Sequence, residues 1–91
     1  DEFAKENEKE LGLGWSAEIR TNIVRLLQER GEIYLNGTLG EVLGRLAGTA
    51  RMTHVNKARD ALKKVGYLTA QTTGKKPWDQ KFTRTGAPAP S

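Results

Sequence analysis

The stretch GKKPWDQKF, residues 74 to 82, sets Lys75 and Lys76 between a glycine and a proline, follows them with Trp78 and Asp79, and adds Lys81. The chemistry open to such a run is electrostatic. It belongs to a wider imbalance: residues 50 to 91 hold nine Lys and Arg against two Asp and Glu (+7), residues 1 to 10 carry −3, and residues 11 to 49 are balanced. Charge gathered in one half of a chain points to a polyanion contacted through one part of the fold. Groups for covalent or acid-base chemistry are missing by comparison. Asp60, Asp79, Glu41 and Glu32 lie on segments with no sign of converging, and no nucleophile motif is present. His54 is the one histidine and there is no cysteine, so disulfides and thiolate metal sites are excluded and zinc is not expected. The lone histidine reads as a packing or phosphate-contacting residue. No enzyme activity, metal, cofactor or small-molecule substrate is expected.

The elements that must position these groups are legible from period and punctuation. With 91 residues the chain makes one domain with a compact core. Residues 1 to 14 read as a flexible polar leader, 15 to 85 as the folded unit, and 86 to 91, GAPAPS, as a disordered proline-alanine tail. Opening on Asp1 rather than methionine, the chain is expected to be a processed or cut product. No apolar run approaches the roughly 20 residues that cross a bilayer, so a cytoplasmic protein is expected.

Ser16 can cap a first helix over 17 to 30, with Ile19, Ile23, Leu26 and Leu27 on one face and Gly31 as its left-handed stop. Glu32 to Leu35 predict a very short strand, and Asn36-Gly37 a turn. Thr38-Leu39-Gly40-Glu41 fits a capping box opening a second helix, whose buried side is Leu39, Val42, Leu43 and Leu46 and which ends near Ala47 with Gly48 as its C-terminal glycine. Gly40, Gly44 and Gly48, spaced by four, read as places where a neighbouring helix comes close. No Gly-Lys-Ser/Thr ending follows to make a phosphate loop.

A third helix, with Thr53 as its cap, buries Val55, Ala58, Leu62 and Val65 and stops at Gly66. Its other side carries Thr53, Asn56, Lys57, Asp60, Lys63 and Lys64. Residues 67 to 72 then predict a strand, 73 to 77 a turn, and 78 to 85 a returning strand with Phe82 facing inward.

The segment LGEVLGRLAGTARMTHVNKARDALKKVGYLTA, followed by a hairpin closing on KFTRTG, resembles the winged helix-turn-helix, an α+β fold of three helices, a short strand and a C-terminal β-hairpin wing. The resemblance spans about Ser16 to Gly86 and marks the architecture, not a particular family within it. The connection from Gly48 to Val55 is a residue longer than in the tightest versions of the fold. The resemblance implies double-stranded DNA as partner, in a transcription regulator or a phage or plasmid protein located with the nucleoid. The third helix would enter the major groove and the wing would reach the backbone or minor groove. Carried onto this chain, Arg51, Thr53, Asn56 and Lys57 would face the bases, with Asp60 and Lys64 further along. Arg bonds guanine's acceptor pair, Asn bonds adenine at two points, and Thr touches a base edge or thymine methyl. Lys75, Lys76 and Lys81 would position the phosphate backbone.

Two other readings stand beside this one. The same fold in a replication or partition protein would grip DNA with little sequence preference, and a protein-binding version would dock through Leu11, Leu13 and Trp15. The chain as it stands is expected to be monomeric, with dimerisation left to a longer chain. Trp78 has two open placements: folded back beside Phe82 or Tyr67 to stiffen the hairpin, or exposed against DNA sugars and the minor-groove edge.

Overall fold

The computed structural model describes residues 15–48 and 52–88. Within them lie α1 (Trp15–Arg30), β1 (Glu32–Tyr34), α2 (Leu35–Leu43) continued by a 3-10 turn (Gly44–Leu46), α3 (Met52–Lys64), β2 (Leu68–Thr72) and β3 (Gln80–Arg84). The result is an α+β domain of three helices and a three-stranded antiparallel sheet in the order β1-β3-β2. The leader expected over residues 1 to 14 and the end of the expected tail lie outside the described residues.

α1 is the hub, touching α2, α3, β1 and β3. Its stripe Ile19, Ile23, Leu26 and Leu27 is buried as its spacing predicts, and Gly31, at φ 80°, stops it. Ile33 of β1 pairs with Phe82 of β3, which pairs on its other side with Ala70 of β2. Phe82 is fully buried, so one ring joins both halves of the sheet to the helices. The sequence predicts the hairpin and the short strand separately. Their union into one sheet is a new finding.

Several local expectations are corrected. α1 begins at Trp15, so Ser16 lies inside it rather than at its cap. α2 begins at Leu35, so Asn36-Gly37 is its first turn rather than a loop, and Thr38 lies inside it. The Thr38 hydroxyl donates to the Tyr34 carbonyl four residues back, as an interior helical hydroxyl does, and Glu41 pairs with Arg30 at 2.9 Å instead of closing a capping box. The deciding force is burial: starting at Leu35 carries that side chain, fully buried, into the core.

The far end of α2 also differs. The α-helix stops at Leu43, where Gly44 turns to φ 54°, and beside it the Asn22 amide of α1 donates to the Val42 carbonyl at 2.7 Å. A Cβ on Gly44 would lie 3.1 Å from that amide nitrogen, so close approach holds at Gly44. Gly40 and Gly48 have nothing within 4 Å.

α3 starts at Met52, which puts Thr53 in its first turn rather than at the cap. It ends in a paired closure: the Tyr67 N–H donates to the Leu62 carbonyl at 2.9 Å and the Gly66 N–H to the Lys63 carbonyl at 3.0 Å, with Gly66 at φ 77°. That reversal turns Val65 off the buried stripe, and it is 58% exposed rather than core. It also drives Tyr67 inward, where the ring is buried and its hydroxyl donates to the Val24 carbonyl at 3.3 Å.

Candidate nucleic-acid interface

The polar side of α3 follows from its apolar stripe. With Val55, Ala58 and Leu62 buried, Thr53, Lys57, Asp60, Lys63 and Lys64 are left exposed and Asn56 half-buried at the border. Arg51 lies outside the described residues.

Arg59, which periodicity does not single out, organises this side. Its Nη1 donates to Asn56 Oδ1 at 3.2 Å and to Gln80 Oε1 at 2.8 Å, and its Nε donates to Asp60 Oδ1 at 2.9 Å. The one acid of α3 is thereby neutralised. Gln80, at the root of β3 and only 9% exposed, donates through Nε2 to the Pro77 carbonyl at 2.6 Å and reaches Asn56 Oδ1 at 3.4 Å. A continuous polar chain therefore runs from Asn56 through Arg59 and Gln80 to the loop that carries Lys75, Lys76 and Trp78.

The β2–β3 loop is itself braced. Asp79 accepts from the Lys76 N–H at 2.9 Å and from Asn36 of α2 at 3.3 Å, and the Thr73 N–H donates to its backbone carbonyl at 2.9 Å. The Asp79 carboxylate lies over Gly74, where a Cβ would come within 2.5 Å of it, so the glycine is required by this fold of the loop. Lys75 and Lys76 are exposed at its surface. The Trp78 ring is 37% exposed and stands outside the core that holds Phe82 and Tyr67, so its place is the loop surface rather than the hairpin interior.

Lys81 sits apart from these groups. Strand alternation puts it on the sheet face opposite Phe82, where it pairs with Glu32 at 3.0 Å and lies 5.4 Å from the Tyr34 ring centre. The hydrogen bond to the Glu32 carboxylate raises its pKa above the usual lysine value. Lys57, Lys63, Lys64, Lys75 and Lys76 make no ion pair among the described residues.

The structure thus joins Asn56 and its neighbours on α3 to the loop, and directs Lys81 to β1. Arg59 had a signal in the sequence, since it stands three residues after Asn56 and so beside it on the helix. Gln80 had none, because its contact with α3 depends on the Thr72↔Gln80 register of the hairpin. No cluster of three or more His, Asp or Glu able to hold a metal occurs among the described residues, and no helix there is long and apolar enough to cross a membrane. No family model matches the chain, and neither any curated protein nor any solved structure matches it.

Proposed function

We infer that the chain is a winged helix-turn-helix module that binds double-stranded DNA, with α3 as the groove element and the β2–β3 loop as a wing on the backbone or minor groove, in a transcription regulator or a phage or plasmid protein. The observation that carries the reading is the polar chain Asn56–Arg59–Gln80–Pro77, which couples the polar side of α3 to a loop whose Lys75 and Lys76 make no ion pair among the described residues. A helix face and a cationic loop held in fixed relation suit a duplex, whose groove floor and phosphates are also in fixed relation. The order helix, short strand, helix, turn, helix, hairpin supports the same reading. The protein acts by binding, without catalysis.

The test is the salt dependence of affinity for a random-sequence duplex. If Lys57, Lys63, Lys64, Lys75 and Lys76 meet about five phosphates, log K falls against log salt with a slope of about −4 to −5. A flat dependence removes the DNA reading. Site selection from random duplexes then separates a regulator, which enriches one sequence, from a module that grips DNA without preference.

A further inference from the structure

The amide of Asn56 is held in one orientation, and that orientation limits what it reads. A guanidinium can only donate hydrogen bonds and a backbone carbonyl can only accept them. Arg59 therefore fixes the oxygens of Asn56 and Gln80 toward itself, and the Pro77 carbonyl fixes the nitrogen of Gln80 toward it. Neither amide can be reversed without facing like against like. Asn56 Oδ1 then accepts from both Arg59 and Gln80. Its Nδ2 has no partner among the described residues, and since no buried side-chain nitrogen or oxygen there lacks one, that nitrogen is open to solvent.

Reading adenine with an asparagine takes both ends of the amide, Nδ2 donating to N7 and Oδ1 accepting from N6. A purine N7, a guanine O6, a thymine O4 or a phosphate oxygen needs the donors alone, so a donor-only amide does not favour adenine over guanine. We propose that Asn56 engages the duplex as a donor-only group on such an acceptor, and that Arg59 is the positioning residue that bars the two-point adenine contact. The proposal rests on α3 being the groove element. Asp60 takes part indirectly: by holding Nε and Nη2 of Arg59 at 2.9 Å it aims Nη1 at the two amides.

The experiment is site selection from random duplexes with the whole chain as wild type, Asn56→Ala, Arg59→Met and Arg59→Lys, followed by affinities on single duplexes and thermal unfolding of every variant. Asn56→Ala weakens binding by about fivefold, the loss of one ordinary hydrogen bond. In the wild type the position it relaxes selects guanine, thymine or the two purines alike, and not adenine over guanine; if it relaxes none and all duplexes weaken equally, the acceptor is a phosphate oxygen. Arg59→Met, which releases Oδ1, brings selection of adenine over guanine to that position, and Arg59→Lys, which keeps a donor there, retains the wild-type preference. Base preference is a readout that a merely structural arginine would not move. Selection of adenine over guanine in the wild-type site at the position that Asn56→Ala relaxes overturns the proposal alone and needs no variant of Arg59 to fold. So does an Asn56→Ala variant that binds every duplex as the wild type does. A folded wild-type chain that binds no duplex overturns both the proposal and the reading beneath it.

Discussion

Residues 15–48 and 52–88 use charge in opposite ways. In the first, four Glu face four Arg, and three of the four acids are engaged: Glu18 by Arg45, Glu41 by Arg30 and Glu32 by Lys81 across the sheet. In the second, eight Lys and Arg face two acids, Asp60 is taken by Arg59, and Asp79 is spent on the loop backbone and Asn36. What remains is Lys57, Lys63, Lys64, Lys75 and Lys76, which make no ion pair among the described residues. A cation without a partner repels its neighbours at some cost to the folded state. The contrast is one of balance: acids and bases are equal in number in the first region, one of whose acids reaches across to Lys81, while the second keeps five lysines with no ion pair among the described residues.

The contrast concerns charge and not the core, and the largest expected effect tests that separation. Phe82 is fully buried and pairs with Ile33 on one side and Ala70 on the other. Phe82→Ala should cost about 3–5 kcal/mol, and denaturant unfolding should show helical signal and amide protection in β1 and β2 lost together. If β1 and α2 stayed protected while β2 and β3 exchanged freely, the two regions would be separate folding units, and the shared core claimed for them would be wrong.

How far these regions could be read from sequence follows the same division between local and through-space causes. α1 was legible because Ile19, Ile23, Leu26 and Leu27 repeat with the helical period and Gly31 punctuates them. Phe82 was legible as an inward residue of a hairpin. The start of α2 was not, because Thr38 and Glu41 form a good local capping signal that loses to the burial of Leu35. Its end was misplaced because Gly44 rather than Gly48 takes the turn that stops the α-helix, and local pattern does not separate the two glycines. At the candidate interface the exposed lysines were visible as a charge imbalance, whereas the pairing of Lys81 with Glu32 needs the β1–β3 register, which no local pattern encodes.

The middle effect sharpens the contrast directly. Replacing Lys75 and Lys76 together by alanine removes two exposed cations that hold no ion pair among the described residues. Stability should stay within about 0.5 kcal/mol of wild type. The salt slope of duplex binding should become shallower by about 2. A large drop in stability with unchanged binding would reverse the roles assigned to the two regions.

The smallest effect comes from the first region's best-formed surface pair. Arg45 meets Glu18 with Nε at 2.5 Å and Nη2 at 3.0 Å, and this hydrogen bonding lowers the Glu18 pKa and raises that of Arg45. Arg45 is mostly exposed, so screening by solvent keeps the contribution small. Its sign with pH is nonetheless fixed. A carboxyl whose folded pKa lies below its unfolded one stabilises the fold above the unfolded value, and loses that contribution as pH falls through the folded value. Glu18→Gln should therefore be slightly less stable than wild type at neutral pH, and the gap should close on acidification. A gap that widens toward low pH, in unfolding curves taken across that range, would show that Glu18 does more in α1 than hold Arg45.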